Sequence, residues 1–187
     1  DLVSFTGSAE TGRWINETAA RRLAKVCLEL GGKNALVVCD DADLENATRW
    51  ALASAFSNAG QRCAAASRVV VLDAVYDELR ERLVAGAAAL PAEPVISEEA
   101  RARILEAVER AKENGATLLA GGTKPAGEGF HLAPTVLEGA AADDEISRTE
   151  LFGPVTLLYR VRDLEEAIAL VNDSPYGLTA GIHTASV

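Results

Sequence analysis

Cys63 and Glu29 are the two residues whose type and setting could do covalent chemistry. Cys63 ends the stretch Phe56-Ser57-Asn58-Ala59-Gly60-Gln61-Arg62-Cys63, in which a helical pattern stops at Asn58 and Gly60. Ala64, Ala65, Ala66 and Ser67 follow, and then the β-type run Val69–Leu72. Small neighbours at a helix-to-strand junction leave a substrate carbonyl room to approach the sulfur, so Cys63 is a candidate nucleophile. On position alone, a small buried hydrophobe is the better description of a free cysteine among alanines. What shifts the balance is Cys27-Leu28-Glu29-Leu30-Gly31-Gly32-Lys33-Asn34, where a lone acid sits in an apolar strand end. Loss of solvent between two leucines would raise the Glu29 pKa toward the range of a general base. The double glycine permits a sharp turn that could face the carboxyl into a pocket. A solvated edge-strand glutamate is the competing reading.

The elements that must carry these groups alternate between strand and helix. Residues 2–5 are expected to form a short buried strand, followed by the turn Thr6-Gly7-Ser8 and a helix over 9–25 with Ile15, Ala19 and Leu23 on its inner face. A strand, a glycine turn and a helix start make an anion site, in which Gly7 and Ser8 could face a pyrophosphate. The Gly7 to Gly12 spacing is that of a P-loop, but Arg13 and Trp14 stand where Lys and Ser/Thr are required. Strands over 26–30 and 36–39 bracket the Gly31-Gly32 turn. Asp41 or Asp43 caps a helix carrying Leu44, Ala47, Ala51 and Ala55, which delivers Cys63. Further helices place Leu79, Leu83 and Ala87, then Ile104, Ala107 and Ala111, inward, with Ser97 as a cap and Asn114-Gly115 as a stop. Residues 117–120, 130–137 (interrupted at Pro134), 155–161 and 179–183 are expected strands. Residues 140–144 form an acidic surface segment, and Asp163 to Glu166 has capping-box spacing ahead of a helix with Leu164, Ala167, Ile168 and Val171 inward. This order predicts an α/β fold whose largely parallel sheet is covered by helices on both faces.

Composition narrows the function classes. The chain has 187 residues, 49% of them hydrophobic, enough for a substantial core. The 18 basic and 28 acidic residues give a net charge of -10 without a basic cluster, which argues against a nucleic-acid partner. No apolar run approaches the roughly 18 residues of a membrane span, and no signal-peptide pattern is present. Cys27, Cys39 and Cys63 fit neither a disulfide framework nor a zinc site. His131 and His183 have no acid or cysteine at ligand spacing, so no metal is expected. Cys27 and Cys39, in apolar β-type surroundings, are expected to be inert. A soluble, reducing, cytoplasmic setting is the expectation. The absence of methionine and an opening strand already under way suggest a piece of a longer protein.

Leu28-Glu29-Leu30-Gly31-Gly32-Lys33 and Gly60-Gln61-Arg62-Cys63 together resemble the two active-site signatures of the NAD(P)-dependent aldehyde dehydrogenase superfamily. Phe5-Thr6-Gly7-Ser8 with Gly12 and Arg13, Glu150-Leu151-Phe152-Gly153-Pro154-Val155 and Asn172-Asp173-Ser174-Pro175-Tyr176-Gly177-Leu178 are similar to further motifs of that family, in the family's order. The resemblance implies that residues 1–31 close an incomplete Rossmann-like cofactor domain and that 32–187 belong to the catalytic domain. It implies NAD or NADP as cofactor, held in part by Gly7, Ser8, Leu30, Gly31, Glu150 and Phe152. Glu150 would bond the nicotinamide ribose and Phe152 would flank the nicotinamide. An aldehyde would add to Cys63, and Glu29 would activate the water that hydrolyses the thioester. A homodimer or homotetramer is implied for the parent protein. The oxyanion asparagine and the adenosine-ribose site are expected upstream of Asp1. Two features depart from the family pattern: Ala35 replaces a common proline, and the Leu90–Val95 connection is short. A coenzyme A-acylating enzyme and a non-catalytic folded module are the alternatives, and retention of Glu29 weighs against the first.

Overall fold

A parallel strand pair bridged by one helix opens the chain. The computed structural model describes residues 1–186. Strand β1 (Leu2–Gly7) runs into helix α1 (Ala9–Ala20), whose N-cap Ser8 accepts the Thr11 N–H at 3.2 Å. Strand β2 (Lys25–Leu30) then lies parallel to β1, with Leu2 opposite Lys25 and Gly7 opposite Leu30. Helix α1 packs on this pair, and β1 is mostly exposed, Leu2 at 63%, where the sequence predicts a buried strand. Helix α1 is also shorter than its periodicity predicts. Ala24 N–H bonds the Ala19 carbonyl and Leu23 N–H the Ala20 carbonyl, a Schellman stop with Leu23 in the left-handed position at φ +54. Leu23 therefore points to solvent and not inward, 93% exposed.

The main sheet begins after the Gly31-Gly32 turn. Strand β3 (Asn34–Val38) leads through α2 (Leu44–Phe56), capped by Asp43, and a 3-10 turn over Ser57–Gly60 to β4 (Ala66–Leu72). Helix α3 (Asp73–Ala89), short strand β5 (Glu93–Pro94), helix α4 (Glu98–Glu113) and strand β6 (Thr117–Ala120) follow. The segment expected as one strand broken at Pro134 is split between two sheets. Strand β7 (His131–Leu132) pairs with β5, and β8 (Thr135–Glu138) joins the main sheet. A short helix α5 (Glu145–Arg148), which periodicity did not reveal, precedes β9 (Val155–Val161), α6 (Leu164–Asn172) and β10 (Ala180–His183).

The six-stranded sheet has the order β10-β3-β4-β9-β8-β6, parallel except for β6. Alternate residues of each central strand enter opposite cores, as the period of two requires. Ala35, Val37, Val70, Leu157 and Tyr159 pack with α4, whereas Leu36, Val38, Val69, Val71 and Leu158 pack with α2 and α3. Both faces of the sheet are thus covered, in agreement with the expected class. Helix α6 deviates from its predicted pattern: Ala167 is buried, but Leu164 and Ile168 are 42% and 51% exposed. Among the described residues no helix is long and apolar enough to cross a membrane, and no cluster of metal-ligating side chains occurs.

Candidate active site

Cys63 is exposed on the loop between the 3-10 turn and β4, and its position is built by backbone that only a few residue types tolerate. Asn58, Ala59 and Gly60 are all left-handed, with φ of +56, +52 and +66. Such a run reverses the chain at the end of α2, and side chains from distant segments hold it. Ala59 N–H donates to Glu93 Oε2 at 2.8 Å, and Gln61 Nε2 donates to the Pro94 carbonyl at 3.2 Å. Arg62 Nη2 caps the end of α2 through the carbonyls of Ala53 and Ser54, at 3.2 and 2.7 Å. Gly60 could not be replaced freely, because a Cβ there would strike the Gly153 carbonyl. That close approach joins the cysteine loop to the loop carrying Glu150 and Phe152.

Glu150, 118 residues beyond Gly32, accepts the Gly32 N–H at 3.2 Å, and its carboxylate fills the space where a Cβ on Gly31 would lie. Burial raises the Glu150 pKa, while the Gly32 N–H and the cations Lys33 and Arg103 oppose that rise. Arg103 also holds the loop by donating to the Leu151 carbonyl at 3.2 Å. Phe152 is 43% exposed with φ +55, so its ring projects away from the core. Gly32, Lys33, Gly60, Arg62, Glu150 and Phe152 line one crevice of about 20 Å³, the space of a single water. A larger cavity of about 310 Å³ lies toward α2 beneath Arg49, Phe56 and Leu90 and touches this region at Ala59. It holds none of the candidate site residues.

Glu29 departs from expectation. It is exposed at the end of β2, because neighbours on a strand point to opposite faces. Leu28 and Leu30 turn toward α1, with Leu30 against Gly12, and leave Glu29 on the uncovered face. The flanking leucines therefore do not desolvate it. The same alternation leaves Cys27 exposed, while Cys39 is buried. Gly7 and Ser8 are exposed at the start of α1, where the N–H groups of Ala9 and Glu10 lack intrahelical partners.

Three functional-looking residues escaped the sequence reading. Lys33 is 3% exposed, and burial plus the neighbouring Arg68 lowers its pKa to about 7. Arg68, also 3% exposed, donates to the carbonyls of Lys33, Leu170 and Val171, tying β4 to the end of α6. Asn34 bonds the carbonyls of Cys63 and Ala65. A Lys-Asn pair opening a wholly buried strand was the available signal. For Glu93 the sequence offers none.

The whole chain, residues 1–187, matches the model of the aldehyde dehydrogenase family. It is 40% identical over 198 positions to a mitochondrial aldehyde dehydrogenase of Leishmania tarentolae, covering 100% of this chain and 40% of that protein. It is 42% identical to an NADP(+) succinate-semialdehyde dehydrogenase of Deinococcus radiodurans, covering 99% of this chain and 41% of the relative. The NAD+ complex of an aldehyde dehydrogenase from Bacillus cereus superposes with a TM-score of 0.97 at 36% identity, over 100% of this chain and 40% of that one. The chain thus spans about two fifths of the length of the curated relatives it matches.

Proposed function

The chain belongs to the aldehyde dehydrogenase family, and on that premise we propose that it supplies the nucleophile, the deacylating base and part of the cofactor contacts for oxidation of an aldehyde to a carboxylate. The observation that carries this reading is an exposed Cys63 on a loop pinned at both ends, whose neighbours Arg62 and Ala65 line a crevice with Glu150 and Phe152. In the proposed reaction the Cys63 thiolate adds to the aldehyde carbon, and the oxygen takes up the negative charge. The Cys63 N–H donates no backbone hydrogen bond among the described residues, so it is free to stabilise that oxyanion. A bound NAD+ or NADP+ would supply the hydride acceptor. The acyl group then remains on sulfur as a thioester. Glu29, accessible to solvent, takes a proton from the water that attacks this thioester, releasing the carboxylate and restoring the thiolate.

The residues present suit a dinucleotide. The free N–H groups at the start of α1 offer an anion site next to Gly7 and Ser8. Glu150 engages Gly32 through one oxygen and keeps the other for a ribose hydroxyl, while Gly31 borders that carboxylate, Leu30 precedes Gly31 in the chain and Phe152 provides an exposed ring. On this reading residues 1–31 serve the cofactor domain and 32–187 the catalytic domain, in a homo-oligomer working in the reducing cytoplasm. The test is Cys63→Ala and Glu29→Gln in the protein as encoded, followed by absorbance of the reduced cofactor. Cys63→Ala should abolish turnover. Glu29→Gln should keep one stoichiometric burst of reduced cofactor while steady turnover falls. Wild-type rates in Cys63→Ala would overturn the assignment.

A further inference from the structure

Asn34 stands where three segments remote in sequence converge. It is the first residue of β3 and is 5% exposed. Its Nδ2 donates to the Cys63 carbonyl at 2.6 Å and to the Ala65 carbonyl at 3.1 Å, while its Oδ1 accepts the Thr179 N–H at 3.3 Å. Two acceptors on one side and a donor on the other leave one orientation for the amide, since a flipped group would set oxygen against two carbonyls. Its main-chain carbonyl accepts the Ser67 hydroxyl at 3.5 Å, so backbone and side chain both engage the segment after the cysteine.

The consequences fall on Cys63. The loop is already closed by Arg62 N–H to the Gly60 carbonyl, before Cys63, and by Ala65 N–H to the Arg62 carbonyl, across it. Fixing the Cys63 and Ala65 carbonyls restricts rotation of the Cys63 backbone, and with it the direction of the Cα–Cβ bond that carries Sγ and of the Cys63 N–H. We infer that Asn34 is the positioning residue of the nucleophile loop, setting the direction of the Cys63 Cα–Cβ bond and N–H by clasping the carbonyls of Cys63 and Ala65. It touches no reacting atom and acts through Cys63, so the inference rests on the nucleophile assignment above. Because Oδ1 holds Thr179, the same amide links the loop to the segment entering β10.

The test is site-resolved alkylation by iodoacetamide across a pH series, with exposed Cys27 as internal reference, alongside kcat and KM in the protein as encoded. Asn34→Asp keeps the shape but turns a carboxylate oxygen toward two carbonyls. Alkylation of Cys63 and kcat should fall about 10- to 100-fold at neutral pH, the scale of a misplaced reacting group. KM for the cofactor and the Cys27 rate should stay at wild-type values. The ratio of variant to wild-type rate should recover in part as the pH drops, because a protonated carboxyl can again donate one of the two hydrogen bonds. A residue that served only the fold would not produce that pH dependence. Asn34→Ala, which removes both donors without adding charge, should lower the rates with no recovery in acid, and it carries the test if Asn34→Asp does not fold. Wild-type Cys63 rates in the folded variants would overturn the role of Asn34 alone. A wild-type Cys63 no faster than Cys27 would overturn the nucleophile assignment and this inference with it.

Discussion

Replacing Lys33 by methionine should stabilise the protein by an amount that shrinks as the pH rises. The Lys33 side chain is buried, and desolvation with help from Arg68 lowers its pKa from 10.5 to about 7, against the pull of Glu150. In the unfolded chain the amine regains its ordinary pKa. Between pH 7 and 10.5 the unfolded state therefore holds a proton that the folded state has released. Stability attributable to Lys33 accordingly rises with pH through that window, and the burden is greatest below it. Lowering the pKa from 10.5 to about 7 corresponds to ~5 kcal/mol against the charged form. By pH 9 the folded amine is neutral and ~2 kcal/mol remains, the free energy of deprotonating the unfolded lysine. Methionine fills the stem's volume without charge. Urea unfolding of both proteins should show a gap of ~5 kcal/mol near pH 6, narrowing to ~2 kcal/mol near pH 9. A gap that is constant, or that widens with pH, would refute the idea that a buried ammonium is the cause.

Three further changes test the local geometry. Gly60→Ala places a Cβ on the Gly153 carbonyl at a left-handed position, and thermal melting should show a loss of ~2 kcal/mol or more. In Gly31→Ala the new methyl group occupies the space of the Glu150 carboxylate. Displacing that group from the Gly32 N–H should weaken cofactor binding about tenfold in a fluorescence titration, the effect of one charge-assisted hydrogen bond. Leu23→Gly relieves a left-handed leucine that is 93% exposed, and should raise stability by about 1 kcal/mol in denaturant unfolding.

The alternation of strands and helices, the caps at Ser97 and Asp163 and the inward faces of α2, α3 and α4 were legible in the sequence, which left the α2 cap between Asp41 and Asp43. Each depends on periodicity or on a side chain bonding its own neighbours, which is local information. The motif around Cys63 was legible for the same reason, because a helix stop followed by small residues is written in consecutive positions. Where α1 stops was not legible, since Leu23 in a left-handed cap runs against residue preference and is needed for the chain to return beside β1. The exposure of Glu29 was equally hidden. Its flanking leucines suggested burial, but which face of β2 is covered depends on where α1 packs. Only the tertiary structure brought Glu150 onto the Gly32 N–H, Glu93 onto Ala59 and Asn34 onto Cys63. These contacts join residues 118, 34 and 29 positions apart. Sequence determined which residues could act, and the parallel sheet, by setting loops from distant segments side by side at one edge of the fold, decided which of them meet.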